Sequence, residues 1–332
     1  MIYKNLLSQL KKEKKTWLVT GAAGFIGSNL VEALLLLNQN VIGLDNFATG
    51  YEENIVNIKD KNFEFIEADI TNMDKCITAL KGVDYVLHQA ALGSIPRSIN
   101  DPINTNNSNI AGFLNLLTAA KESNIKRFIF AGSSSTYGDH PALPKKEENI
   151  GNPLSPYAIT KFVNELYAET FNRHYGLEFV GLRYFNVFGK RQRKEGPYAA
   201  VIPKWITGIL EGSEIFINGD GNTSRDFCYI ENVIQANILS ALSTNKKSTN
   251  QIYNVAVNDQ TTLNELYIMI SSAISGIDSS IKIPLPIHRD FRAGDIMHSR
   301  ADITKAKTFL GYDPDYPVDR GIKETVKWYM SK

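Results

Sequence analysis

Along the first 190 residues, short runs rich in β-branched and aromatic side chains alternate with longer amphipathic stretches. Trp17-Leu-Val-Thr20 is followed by an apolar-striped stretch over 25–37 and then by Val41-Ile-Gly-Leu44. Short, almost continuously apolar runs read as strands covered on both faces, and the intervals between them as helices. Further strands are predicted at 63–67, 85–88, 127–131 and 179–182, with helices at 73–81 and 103–123. Strands alternating with helices in this order predict an α/β fold, a doubly wound parallel sheet.

Beyond residue 182 the rhythm loosens. Gly189, Gly212, Gly219, Gly221 and Pro284-Leu-Pro286 punctuate the chain, which predicts a smaller mixed α/β lobe. The run 251–257 reads as a buried strand returning to the main sheet. The first lobe is therefore expected to comprise 1–182 plus the 251–257 region, and the second, discontinuous lobe most of 183–332. No internal repeat or low-complexity tract interrupts the pattern.

Composition narrows the function classes. With 332 residues, 43% of them hydrophobic and 21% charged, the chain can bury a large core and does not read as disordered. A formal charge of +1 gives no global pull toward nucleic acid or membrane, so neither is predicted as a partner. The polar stretch 1–15 reads as a solvated lead-in helix. The apolar stretch Leu34-Leu-Leu-Leu37 falls far short of the ~20 residues that span a bilayer. Two distant cysteines, Cys76 and Cys228, fit structural thiols in a reducing, cytoplasmic setting. The five histidines show no ligand spacing, and no metal is predicted.

The first chemical signal is Gly21-Ala-Ala-Gly24-Phe-Ile-Gly27, placed between a predicted strand and a predicted helix. Its glycines permit a tight turn and close approach of backbone N–H groups to a pyrophosphate. Asp45 closes the next strand, where a carboxylate binds an adenosine ribose and disfavours a 2′-phosphate. Together these predict a Rossmann dinucleotide site that takes NAD rather than NADP. The bland alternative is a structural glycine turn with Asp45 as a strand-end cap.

A second signal is Tyr157 and Lys161, four apart in Ser155-Pro-Tyr-Ala-Ile-Thr-Lys161. Pro156 suits a first helical turn, so both side chains project from one helix face. An unperturbed tyrosine ionises near pH ~10 and is a poor base at neutrality. A neighbouring ammonium and a positive nicotinamide ring would favour its ionised form and make Tyr157 a general base. In Gly132-Ser133-Ser134-Ser135-Thr136-Tyr137-Gly138, at the end of a strand, Ser133 offers a hydroxyl to a substrate oxygen that loses its proton. Ser134 and Ser135 read equally as turn formers or as substrate contacts.

These pieces resemble the extended branch of the short-chain dehydrogenase/reductase superfamily: the GxxGxxG spacing, Asp69-Ile70, His88-Gln-Ala-Ala91, Asn109 and the Ser133, Tyr157, Lys161 set. The resemblance implies Gly21, Gly24, Phe25, Ile26, Gly27, Asp45, Asn46, Asp69, Ile70, Ala90, Tyr157, Lys161 and Tyr184 around NAD. Sugar 4,6-dehydratases of that branch carry an Asp-Glu pair after the catalytic hydroxyl, and decarboxylases a Glu. Ser134-Ser135 here supplies no acid for eliminating water, which favours epimerisation.

Arg183-Tyr-Phe-Asn-Val-Phe-Gly189, Thr223-Ser-Arg-Asp-Phe-Cys-Tyr-Ile230 and Arg292-Ala-Gly-Asp295 extend the similarity over nearly the whole chain, toward nucleotide-sugar 4-epimerases. Residues 90–98, 133–140 and 199–205 are similar to the bacterial UDP-N-acetylglucosamine 4-epimerases. The resemblance implies Asn186, Arg225 and Arg292 on the UDP phosphates, and Val201, Lys204, Trp205 and Asn218 near the nucleotide. It also implies Ser94, Ser133, Ser134, Ser135 and Tyr157 near the sugar. Arginine suits a pyrophosphate through its planar fork; the alternative is that Arg225 and Arg292 pair with Asp226 and Asp295.

Ser299 falls where the family places a gatekeeper beside the sugar 2-substituent, and a small residue there accompanies N-acetyl sugars. The expected reaction is interconversion of UDP-GlcNAc and UDP-GalNAc; uronic-sugar chemistry and a silent NAD-binding regulator are the alternatives. The family commonly forms homodimers through two helices per subunit, here those predicted at 103–123 and 156–175.

Overall fold

The computed structural model describes residues 2–194, 200–291 and 297–332. Seven parallel strands form its central sheet: β1 (Thr16–Thr20), β2 (Asn40–Asp45), β3 (Phe63–Glu67), β4 (Tyr85–His88), β5 (Arg127–Ser133), β6 (Phe179–Tyr184) and β7 (Gln251–Val255). Their order across the sheet is β3-β2-β1-β4-β5-β6-β7, and every pairing is parallel. The chain reverses direction across the sheet between β1 and β4, the place where such folds open a ligand crevice at the strand ends. This is the doubly wound fold that the sequence pattern predicts.

Both faces of the sheet are covered, which explains the unbroken apolar runs. On β1, Trp17 and Val19 join the core built with Leu30 and Leu34, while Leu18 joins the opposite core with Leu116 and Phe128. On β5, Ile129 and Ala131 face the first layer and Phe128 and Phe130 the second. Buried side chains therefore alternate between two apolar layers rather than between core and water.

The helix Pro156–Tyr175 starts at Ser155, whose hydroxyl accepts from Ala158 N–H at 3.1 Å, with proline in its first turn. It stops at Gly176, in the left-handed region at φ 71°. The predicted helix over 103–123 is instead broken into Pro102–Asn106, a wide turn at Asn107–Ala111, and Gly112–Glu122. Asn104, Asn106, Asn107 and Asn109 crowd that stretch, and asparagine competes with helical backbone bonding. The wide turn aims Asn109 inward: it accepts from Leu92 N–H at 2.8 Å and donates to Thr160 Oγ1 at 3.1 Å.

The N-terminal helix Ile2–Leu10 is not merely a solvated lead-in. Leu10 is buried in the first core layer, and Gln39 Nε2 donates to the Leu10 carbonyl at 2.8 Å. Beyond β6 the helices Val201–Leu210, Leu263–Ile277 and Val318–Met330 pack on one another. Three short strand pairs accompany them: Val187–Phe188 with Cys228–Tyr229, Ser224–Arg225 with Thr261–Thr262, and Phe216–Asn218 with Ile287–Arg289. The helix Ile230–Leu242, buried except for Glu231 and Leu242, runs under β5, β6 and β7 and joins this part to the sheet.

Candidate active site

At the carboxyl end of β1 the chain turns sharply, and two glycines make the turn possible. Gly21 has φ 68°, and a Cβ there would lie 2.8 Å from Ala90 N; a Cβ on Gly27 would collide with the Gly21 carbonyl. The helix Phe25–Leu36 leaves directly from this turn. Its N-terminus opens on a cavity of about 520 Å³. Gly21, Gly24, Phe25, Ile26, Gly27, Asp45, Asn46, Asp69, Ile70 and Ala90 all line it, together with Ser94. Tyr157, Lys161 and Tyr184, also expected around NAD, are not part of its lining; the Tyr184 hydroxyl donates to Gln89 Oε1 at 3.1 Å and accepts from Asn237 Nδ2 at 2.9 Å.

The acids of the cavity have distinct settings. Asp45 is buried and accepts from Ala23 N–H at 2.9 Å and Phe47 N–H at 2.8 Å. Burial lifts its pKa, and those backbone donors offset part of the rise. Asp69 accepts from Thr71 N–H, Thr71 Oγ1 and, at 2.6 Å, Asn46 Nδ2. Burial opposes ionisation of Asp69, yet those bonds prevail and hold its carboxyl below the usual range. A glycine cradle at a helix N-terminus and a carboxylate at the end of the second strand fit NAD: backbone N–H groups at Gly21–Gly27 for the pyrophosphate, Asp45 for the ribose.

Further residues of the cavity lie outside the glycine and acid motifs, among them Thr49, Tyr51, Gln89, Arg97, Arg191 and Arg193. Thr49 and Tyr51 follow Asp45 closely along the chain, so the loop after β2 is their signal. Arg191 and Arg193 carry none, because they reach the cavity through long-range ties. Lys190 and Arg191 pair with Glu32 of the cofactor helix at 2.6 and 2.9 Å, and Asn29 Nδ2 donates to the Lys190 carbonyl at 3.1 Å.

Beyond the cavity the structure brings the catalytic candidates together. Ser133 ends β5, where Lys161 Nζ donates to the Ala131 carbonyl at 2.9 Å. Lys161 is 2% exposed, and burial pushes its pKa down to about 8. Its ammonium lies 5.9 Å from the centroid of the Tyr157 ring. Burial raises the Tyr157 pKa, and a hydrogen bond with Ser133 works against that rise. Ser133 Oγ also accepts from Ser135 N–H at 3.1 Å and Ser135 Oγ at 2.9 Å. His88 behaves as a core histidine: Nδ1 bonds Thr20 Oγ1 at 2.7 Å, and burial, with Lys161 nearby, pushes its pKa down to about 3.

The candidates for holding a nucleotide are spread more widely. Asn186 sits at φ 23° with its amide 3.5 Å from the Asp226 carbonyl. Arg225 Nη1 donates to the Ser224 carbonyl at 2.9 Å. Asp226 turns inward instead, accepting from Val257 and Ala301 N–H at 3.0 and 3.1 Å, and burial pushes its pKa up to about 7. Val201 begins the helix Val201–Leu210, and Lys204 is exposed on it. Trp205 is 3% exposed in the core, its indole N–H on the Phe216 carbonyl at 3.2 Å. Asn218 is exposed at a strand end opposite Arg289, and half-buried Ser299 donates its N–H to the Ser224 carbonyl at 3.1 Å. Arg292 lies outside the described residues, as does Asp295.

Among the described residues no group of three or more His, Cys, Asp or Glu side chains is placed to hold a metal. Both cysteines are free and buried. No helix of the described residues is long and apolar enough to cross a membrane.

The sequence profile of the NAD dependent epimerase/dehydratase family matches residues 17–256, about three quarters of the chain and the whole of its sheet. The chain belongs to that family. Its cofactor is NAD. Among solved structures, it is similar to the UDP-N-acetylglucosamine 4-epimerase from Methanobrevibacter ruminantium M1 in complex with UDP-N-acetylmuramic acid. The identity is 43% and the TM-score 0.88, covering 96% of this chain and 99% of that one. It is 35% identical to the UDP-glucose 4-epimerase with UDP-glucose from Thermotoga maritima, TM-score 0.87, covering 95% and 99%. It is 31% identical to the UDP-glucuronic acid 4-epimerase from Bacillus cereus in complex with UDP-glucuronic acid and NAD, TM-score 0.84, covering 95% and 99%.

Proposed function

We propose that this protein is an NAD-dependent UDP-sugar 4-epimerase that interconverts UDP-N-acetylglucosamine and UDP-N-acetylgalactosamine through a 4-keto intermediate. The observation that carries the reaction type is the convergence of Ser133, Tyr157 and Lys161 at the same carboxyl edge of the sheet as a glycine-cradled dinucleotide cavity, with no carboxylate next to Ser133. Ser134 and Ser135 follow it, and Asp139, the next acid along that loop, accepts from Asn152 N–H and Nδ2 at 2.7 and 3.0 Å. A dehydratase would need an acid there to protonate the departing hydroxyl.

When bound, NAD supplies a reversible hydride acceptor for C4 of the sugar. Tyr157 takes the O4 proton as the hydride leaves and returns it when the hydride comes back to the other face. Its own burial disfavours the tyrosinate, so the base form depends on positive charge close by. Lys161, fixed on the Ala131 carbonyl, supplies that charge. Ser133 bridges the sugar oxygen and Tyr157. Between the two transfers the ketone must present its other face, so the UDP moiety stays held while the sugar turns. Asn186, Arg225 and Arg292 would hold the phosphates, with Val201, Lys204, Trp205 and Asn218 toward the nucleotide and Ser94, Ser134 and Ser135 toward the sugar.

The N-acetyl preference is supported by Ser299, a small residue at the family's gatekeeper position, and by the 43% identity to an enzyme named for UDP-N-acetylglucosamine. The protein would act as a homodimer in the cytoplasm. Ile103 and Ile159, 74% and 49% exposed, flank a surface groove lined by Pro102, Asn106, Pro156 and Thr160 on the two helical segments that the family uses for pairing.

The test is to incubate the purified protein, without added NAD, with UDP-N-acetylglucosamine, UDP-glucose and UDP-glucuronate separately, and to follow each sugar by NMR. Appearance of the galacto epimer of the N-acetyl sugar supports the full reading. Conversion of UDP-glucose alone keeps the epimerase and discards the Ser299 argument. Conversion of the uronate alone moves the substrate to uronic acids, and no conversion even with NAD supplied discards the enzyme.

A further inference from the structure

Behind the reacting groups lies a buried ion pair that the mechanism above leaves unused. Glu165 stands four residues beyond Lys161 on the helix Pro156–Tyr175, and Arg183 lies on β6; both are essentially removed from solvent. Arg183 Nε donates to Glu165 Oε1 at 2.8 Å and Nη2 to Oε2 at 2.7 Å, a two-pronged pairing. Its Nη1 goes to the Glu147 carbonyl at 3.0 Å, and its guanidinium carbon lies 4.8 Å from the centroid of the Tyr137 ring.

Tyr137 ends the tight turn Ser134–Tyr137 that follows Ser133, and its hydroxyl donates to Asn254 Oδ1 at 2.6 Å. The register of the sheet sets Arg183 opposite Gly132 and Tyr184 opposite Ser133. A Cβ on Gly132 would approach Arg183 Cγ to 3.3 Å, so the strands leave the arginine stem little freedom. One guanidinium thus touches both the helix that carries Tyr157 and Lys161 and the turn that follows Ser133.

We infer that the Glu165–Arg183 pair is a positioning brace, which sets the helix against β5 and β6 so that Tyr157 meets Ser133. A buried ion pair adds little stability over apolar residues of equal volume, because both charges lose their hydration. What a planar fork on a carboxylate adds is a fixed direction and length. Here that fixed length ties the helix that carries Tyr157 to β6, the strand paired with the end of β5 that carries Ser133. The bond from Lys161 to Ala131 ties the helix one turn earlier, so the two anchors together restrain both its depth and its rotation.

The kinetic arm of the test rests on the epimerase reading; the spectroscopic arm does not. Glu165→Asp keeps the charge but shortens the arm by one carbon–carbon bond, about 1.5 Å. A second variant, Glu165→Leu with Arg183→Met, removes both charges and keeps the core filled should the first not fold. In protein labelled at tyrosine Cζ, with the Tyr157 resonance assigned against Tyr157→Phe, each variant should move that resonance in the direction that Ser133→Ala moves it. On UDP-N-acetylglucosamine, turnover per NAD-loaded site should fall about tenfold or more with KM changed less than about twofold, as misplacement of reacting groups requires. Slower chemistry should also raise the isotope effect with substrate deuterated at C4. An unmoved Tyr157 resonance, or unchanged turnover per loaded site with only a lower Tm, overturns the brace. A wild-type protein inactive on every UDP-sugar ends the epimerase reading and leaves the resonance to decide the brace.

Discussion

Lys161→Met should make the cofactor-free protein more stable while nearly abolishing turnover. The lysine has one acceptor, the Ala131 carbonyl at 2.9 Å, and is 2% exposed. Burial alone pushes its pKa from 10.5 down to about 8, a penalty on the buried charge of about 3 kcal/mol at neutral pH. Methionine has nearly the same length and carries no charge. Leaving the Ala131 carbonyl without its donor costs about 1 to 2 kcal/mol, so the net gain should be about 1 to 2 kcal/mol. The sign with pH follows from linkage. Below pH 8 the lysine is charged in both native and unfolded chains, and the full penalty applies. Between pH 8 and 10.5 the native lysine is neutral while the unfolded one still binds a proton, so the wild type gains on the variant as pH rises. Urea unfolding of the stripped proteins at pH 7 and pH 9.5 reads this directly. The variant should lead at pH 7 and lose most of its lead at pH 9.5, while kcat falls about 100-fold or more for want of the charge beside Tyr157. A variant less stable than wild type at pH 7, or a lead that does not change with pH, would refute the assignment of Lys161 as an uncompensated buried cation.

Gly27→Ala should purify with less than about a tenth of the wild-type NAD, measured by absorbance of an acid extract, because its Cβ meets the backbone of Gly21 and Ala22, which cannot move aside without opening the turn. Ser299→Tyr should lower kcat/KM for UDP-N-acetylglucosamine at least about tenfold and leave UDP-glucose within about twofold, since a ring would fill the space for the 2-substituent; equal losses on both sugars would count against the gatekeeper. Ile159→Asp, on the exposed apolar face of the helix Pro156–Tyr175, should yield monomers by light scattering with the thermal transition of the subunit kept; an unchanged mass would remove this face from the interface.

The sheet could be read from the chain because its strands are buried on both sides and short, and the runs Trp17-Leu-Val-Thr20 and Phe128-Ile-Phe-Ala131 say so without alternation. The cofactor cavity was nearly as legible: ten residues proposed from the glycine turn, from Asp45 and from the family resemblance line one cavity. Sequence spacing works there because the groups follow directly from consecutive strand ends. It fails where a contact depends on tertiary return. Arg191 and Arg193 enter the cavity on a loop tied to Glu32 and Asn29, over 150 residues away in sequence. The wide turn at Asn107–Ala111 was missed for a related reason: amphipathic spacing continues through it, and only the bond from Asn109 across to Leu92 gives it a purpose. Glu165 and Arg183 were invisible as a pair, since a glutamate inside a helix and an arginine inside a strand each read as an ordinary surface charge.

The two kinds of site residue differ in what holds them, and the difference has a chemical sense. Ser133, Tyr157 and Lys161 sit on a strand end and the first turns of a 20-residue helix, tied by Lys161 to Ala131 and by the fork of Arg183 on Glu165. Proton and hydride transfer need such fixed geometry, because a small displacement costs large factors in rate. Among the candidates for the sugar and nucleotide, Asn186, Asn218, Arg225 and Ser299 lie on two- and three-residue strands and the loops between them. Loops on a rigid scaffold accept substitution with little effect on the core. A fold arranged in this way can keep one oxidation–reduction cycle at C4 while its sugar pocket changes. Structures similar to it over nearly the whole chain hold UDP-sugars of three kinds, at TM-scores between 0.84 and 0.88. Specificity is therefore to be sought in single positions such as Ser299, and the reaction itself in the sheet and the helix behind it.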